Sequence, residues 1–160
     1  MKIKYVSLAF VFLAAGLFAQ DAKVPSNVKE SFKKLHPKAS EVKWDKEGAN
    51  EFEANFKENN NSVSVVLDSE GKLVETETVM KTSELSKNIH SFISKNYKGY
   101  EITEAAKIID ANGNVSYEAE VSKGKVKKDV VFDKDGKLMK KNDKKSEDEN
   151  NEKEDEEDKD

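Results

Sequence analysis

The chain has 160 residues and a formal net charge of −4, from 28 basic residues, all lysine, against 32 Asp+Glu; there are two histidines and no cysteine. Disulfide frameworks, thiolate metal sites and cysteine nucleophiles are thereby excluded, and so are bidentate arginine clamps on phosphate or carboxylate. Charged residues (38%) outnumber hydrophobic ones (36%), which is polar for a wholly globular protein.

Residues 1–19 read as a secretory signal peptide. Lys2 and Lys4 form a positive start, Val6 to Phe18 is apolar apart from Ser7 and Gly16, and Ala19 is small enough to precede a cut before Gln20. The apolar stretch is short of the roughly 20 residues that a transmembrane helix needs. No cysteine is present for a lipid anchor. The expectation is an exported protein, periplasmic or secreted, with no membrane span in its mature form.

A first helix is expected where Val28, Phe32 and Leu35 recur at helical spacing, with Pro25 near its start and Pro37 stopping it. Period-two segments follow: Val42 and Trp44; then Phe52, Ala54 and Phe56; then Val63, Val65 and Leu67; then Leu73 to Met80, rich in Val and Thr. Alternation of this kind marks a sheet with one covered face. A second helix is marked by Leu85, Ile89, Phe92, Ile93 and Tyr97, with Thr82 or Ser83 as its cap and Gly99 beyond its end. Further strands are expected over 102–110, 115–121, 126–132 and from Leu138, with hairpin turns at 59–61, 112–114 and 123–124.

The last stretch, 143–160, carries 11 acids, 4 lysines and no apolar residue. Such a composition cannot bury enough surface to offset its ordering entropy, and it reads as a disordered acidic tail. Between signal and tail, Gln20–Asn142 holds 22 lysines and 21 acids. That near-neutral balance lacks the basic excess of a nucleic-acid-binding domain.

The middle of the chain repeats itself. Phe52-Glu53-Ala54 returns as Tyr117-Glu118-Ala119, and Val66-Leu67-Asp68-Ser69-Glu70-Gly71-Lys72-Leu73 returns as Val131-Phe132-Asp133-Lys134-Asp135-Gly136-Lys137-Leu138. The expected fold class is α+β, built as two tandem helix-plus-four-strand antiparallel repeats with the helices on one face of the sheet. The expected organisation is 1–19 signal peptide, 20–81 and 82–142 as the two repeats, and 143–160 as tail.

Val24-Pro25, His36-Pro37-Lys38-Ala39, Val42-Lys43-Trp44 and Phe52-Glu53-Ala54, in that order and spacing, resemble the PepSY-like, beta-lactamase-inhibitor-like family of small exported proteins of Bacteroidetes-type bacteria. The Asp-x-Asp/Glu-Gly-Lys-Leu turn and Tyr117-Glu118-Ala119 fit its second half. The resemblance spans Val24 to about Lys140. It implies a helix-plus-antiparallel-sheet repeat and, by analogy of fold, a sheet face that grips a protein.

No catalytic signature or phosphate-binding loop occurs. His36 and His90 lie far apart in sequence and read as structural. Asp133-Lys134-Asp135-Gly136 echoes the opening of a calcium loop, but Lys144 stands where a closing Glu is required. An Asp-Gly hairpin turn accounts for it better. Glu51/Glu53 and Glu118/Glu120 alternate with apolar residues and read as a solvated face. Trp44 and Tyr100 are candidates for a binding surface, with core packing in register with Val42 the favoured reading for Trp44.

The remaining candidate is the second sheet face, where period two places Glu53, Asn55, Ser64, Glu118, Glu120, Lys127 and Asp129 together with Val66 and Val131. The expected function is a non-enzymatic binding module, inhibitor-like in form, offering this face to a protein or peptide of the cell envelope without a cofactor. The alternative is cation or small-ligand buffering through the acidic tail and the Asp-Gly turns.

Overall fold

The computed structural model describes residues 23–143. The signal peptide and nearly all of the acidic tail lie outside the described residues.

The order is α1 (Ser26–Leu35), β1 (Ser40–Lys46), β2 (Glu51–Glu58), β3 (Asn61–Asp68), β4 (Leu73–Met80), α2 (Lys87–Asn96), β5 (Glu101–Asp110), β6 (Val115–Lys123), β7 (Val126–Asp133) and β8 (Leu138–Asp143). The strands form one antiparallel sheet in the order β1 to β8, each paired with its sequence neighbour. This overturns the expectation of two tandem helix-plus-four-strand repeats. β4 pairs with β5 from Glu75–Asp110 to Met80–Ala105, so the architectural unit among the described residues is a single eight-stranded sheet carrying two short α-helices. The physical reason is the open edge: a four-stranded sheet ending at β4 would leave that strand's outer row of N–H and C=O groups unpaired, and β5 satisfies them.

Both helices lie on one face of this sheet. Val28 and Phe32 of α1 pack into Phe52, Ala54, Phe56, Val63, Val65 and Leu67. Ile89 and Ile93 of α2 pack into Ala119, Val121, Val130 and Phe132. Leu35, expected on the buried stripe, is 48% exposed, because α1 ends there and His36 turns the chain away. Val42 is also exposed. Glu41 adopts a left-handed backbone (φ 55°) at a bulge that breaks the β1–β2 register between Ser40 and Lys43, and this rotates Val42 off the core.

The start of α2 differs from expectation too. Thr82–Glu84 form a short 3-10 turn, in which the Lys81 N–H donates to Glu84 Oε2 at 2.8 Å. Ser86 is the true cap, its Oγ accepting the Ile89 N–H at 3.3 Å. Ser86 stands immediately before the first residue whose backbone is helical, where a cap must be.

Two turns at strand ends bind the helices to the sheet. Asn27 Nδ2 donates to the Ser69 carbonyl at 2.9 Å, and Asn88 Nδ2 to the Asp135 carbonyl at 3.0 Å.

Candidate functional site

In an antiparallel ladder, residues directly opposite each other project from the same face. Registers therefore assign the face away from the helices without ambiguity. Asn55 faces Ser64, Ser64 faces Glu77, and Glu53 and Glu75 both face Val66 from its two sides. Further across, Ala106 faces Glu118, Glu104 faces Glu120, and Glu120 faces Asp129. Glu53, Asn55, Ser64, Glu118, Glu120, Lys127 and Asp129 thus share one face, and Glu75, Glu77 and Glu104 join them.

This face is not solvated, contrary to the reading of Glu53, Glu118 and Glu120 as outward carboxylates. Glu53, Ser64, Glu75, Glu77, Glu118, Glu120 and Asp129 are all buried, whereas Asn55 is half-buried and Lys127 exposed. The cores packed by α1 and α2 use the opposite strand faces. The described side chains that share this face belong to neighbouring strands.

The electrostatic consequence is an accumulation of carboxyls on one desolvated face. Burial, reinforced by the charge of Glu47, pushes Glu53 up to about 7. Burial and the charges of Glu47, Glu51 and Asp110 push Glu75 up to about 7. Glu77 is raised well above the ordinary carboxyl range by burial first, then by Glu118, Glu75, Glu53 and Asp129. Like charges in a desolvated cluster cannot all ionise together. Glu77 is 1% exposed, and neither of its carboxyl oxygens has a hydrogen-bond partner. That is an uncommon condition for a buried polar group.

Glu120 is better served. Its Oε1 accepts from Thr103 Oγ1 at 2.7 Å and from Lys127 Nζ at 2.9 Å. Glu77, Glu118, Glu120 and Asp129, with Val79 and Ala106, line a small cavity of about 20 Å³, room for about one water-sized group. Among the described residues, no three His, Asp or Glu side chains are grouped so as to hold a metal ion.

The Asp-Gly turns use their carboxylates internally. Asp133 Oδ1 accepts the backbone N–H groups of Asp135 and Lys137, and Asp68 Oδ1 those of Glu70 and Lys72. His90 is exposed on α2. His36 stacks on Phe32 and places Nδ1 3.2 Å from Glu58 Oε2. Trp44 is half-buried, edge-on to Phe32 at 5.2 Å, beside a groove between α1 and β1 whose lining includes Lys29, Lys33 and Val42. Tyr100 packs edge-on against Tyr97.

Sequence reasoning missed Glu75, Glu77 and Glu104. The signal was present in Val74-Glu75-Thr76-Glu77-Thr78, an alternation whose acid phase continues that of Glu53 once β3 and β4 are paired.

No family model matches the chain, and no curated protein matches it. Solved structures do. A DUF2874 family protein from Bacteroides ovatus ATCC 8483 is 23% identical with a TM-score of 0.64, over 76% of this chain and 89% of that one. A BLIP-like protein from Bacteroides fragilis NCTC 9343 is 20% identical with a TM-score of 0.60, over 79% and 91%. A protein proposed to be periplasmic, from Bacteroides eggerthii DSM 20697, is 15% identical with a TM-score of 0.66, over 76% and 90%. None of these three is described as PepSY-like. No helix among the described residues is long and apolar enough to cross a membrane. The chain therefore shares its fold with BLIP-like and DUF2874 proteins of Bacteroides.

Proposed function

We propose that this chain is an exported, non-enzymatic binding module of the cell envelope that receives a protein or peptide on the acidic face of its sheet. The observation that carries the reading is Glu77, sealed from solvent with both carboxyl oxygens unpartnered at the centre of a face that no described helix covers. Natural folds seldom retain such a group unless its cost is offset elsewhere, and function is the usual place. Export is supported by the leader-like residues 1–19, and the beta-lactamase-inhibitor-like form by the shared fold.

A photo-crosslinking residue placed at Asn55 or Lys127 tests it, with a matched one at Lys33 on the helix side. Crosslinks to one envelope protein from Asn55 and Lys127, absent from Lys33, are the expected result. Crosslinks from Lys33 alone would move the interface to the groove beside α1 and overturn the proposal.

A further inference from the structure

Resting on that reading of the acidic face, we infer that the hollow lined by Glu77, Glu118, Glu120 and Asp129 receives a single primary ammonium group, the head of a lysine side chain carried by the partner.

Four observations converge on this chemistry. The first is charge: the hollow is walled by carboxyls from β4, β6 and β7, with Glu104 of β5 beside them, a lining that favours a cation or a hydrogen-bond donor over an anion. The second is the unmet demand of Glu77, whose two oxygens are buried with no donor. An ammonium supplies up to three N–H donors and a full positive charge from a compact head. The third is size. About 20 Å³ accommodates one water-sized group, which matches the compact head of an ammonium better than the broad plane of a guanidinium.

The fourth is a precedent within the chain. Lys127, half exposed, already brings its Nζ to Glu120 Oε1 at 2.9 Å. The rim thus shows an ammonium making a charge-assisted hydrogen bond to a buried carboxylate, the strong class of such bonds. A metal ion fits less well, because it needs several converging oxygen ligands, and no grouping of three acid side chains among the described residues provides them. Apolar walls at Val79 and Ala106 suit the methylene stem of a lysine, which packs along apolar surface behind its charged head.

Isothermal titration of the full chain with acetylated, amidated tetralysine tests the assignment, beside its ε-acetylated form, tetra-arginine and calcium chloride. Binding of tetralysine is expected, with none for the ε-acetylated peptide and at least tenfold weaker binding for tetra-arginine. Glu77→Gln should weaken tetralysine binding at least tenfold. Val79→Lys, which places an ammonium on the same face one pleat from Glu77, should abolish it and answers the question independently should Glu77→Gln fail to fold.

Unchanged affinity in Glu77→Gln would reveal diffuse attraction to a carboxyl-rich surface and overturn the inference. Equal binding of tetra-arginine, or calcium binding that depends on Glu77 and displaces the peptide, would also overturn it. The two readings separate cleanly: crosslinking at Asn55 that persists in Glu77→Gln retains the docking face without the lysine. Tetralysine binding without any crosslinked partner retains the ammonium site and removes the docking face.

Discussion

Asn27 Nδ2 reaches across 42 residues of chain to the carbonyl of Ser69 at 2.9 Å, tying the first turn of α1 to the β3–β4 turn. Gly71, two residues further on, is pressed so close to the helix that a Cβ there would lie 2.5 Å from Ser31 Oγ and 3.2 Å from the Asn27 carbonyl. Gly136 is similarly close to Asn88 of α2 and to its cap, Ser86. Helix placement therefore depends on glycine for two reasons, a left-handed backbone and a missing side chain.

That contact makes a graded prediction. Gly71 (φ +82°) and Gly113 (φ +80°) share a conformation that disfavours side chains, but nothing lies within 4 Å of a Cβ at Gly113. Gly113→Ala should cost about 1 kcal/mol from the backbone alone. Gly71→Ala should cost clearly more, about 3 kcal/mol, since the turn must also retreat from α1. Urea unfolding of the two variants measures the difference, and equal losses would show that the helix contact is slack.

The acid cluster sets a pH dependence whose sign follows from linkage. Unfolded, Glu53 and Glu75 lose their protons near 4.5; folded, they hold them to about 7. Below 4.5 both states are protonated and the groups make no difference. Between 4.5 and 7 the folded chain binds more protons, so stability falls as pH rises, and above 7 the loss is complete. A difference of about 2.5 pH units corresponds to about 3 kcal/mol per group, with neighbours in the cluster reducing the sum. The Tm should be highest near pH 5 and lower at pH 8, and Glu53→Gln/Glu75→Gln should flatten the profile. A Tm that rises from pH 5 to 8 would contradict this account.

Glu77 should be a residue whose removal stabilises. Glu77→Met keeps most of the volume and deletes a buried carboxyl that has no donor. Replacing buried ionisable groups by apolar ones is commonly neutral or stabilising, and a gain of about 1–3 kcal/mol at pH 8 is expected. The same variant should fail in partner capture. Gained stability with lost binding would be the signature of a site retained for function. Lost stability would show that the carboxyl serves the fold.

The caps make a smaller prediction. Ser86→Ala removes the oxygen that accepts the Ile89 N–H and should cost about 1 kcal/mol. Thr82→Ala and Ser83→Ala, one turn upstream, should be close to neutral. Thermal denaturation of the three variants side by side distinguishes the true cap from its neighbours.

Much of the strand pattern was legible because side-chain alternation is a local property. Phe52, Ala54 and Phe56 announce a covered face whatever lies across from them. The same locality misled at Glu53, Glu118 and Glu120, where alternation away from the core was equated with exposure to water. Whether a residue pointing away from the helices is wet depends on what crowds it from adjacent strands, and no single strand contains that information. Glu75 and Glu77 escaped notice for a related reason: they become part of the site only when β4 is laid beside β3 in register.

By itself, the sequence determined which residues alternate, where the helices begin and stop to within a turn, and which chemistries are ruled out for want of cysteine and arginine. Each of these follows from interactions within a few residues of chain. Only the tertiary structure decided that β4 and β5 join all eight strands into one sheet, and that acidic and hydroxyl side chains on its far face are withdrawn from water. Those outcomes arise from pairing between distant segments, which satisfies the backbone of β4 while pressing carboxyls from five strands together. The burial that raises Glu77, and the demand for a donor that follows from it, are properties of that assembly.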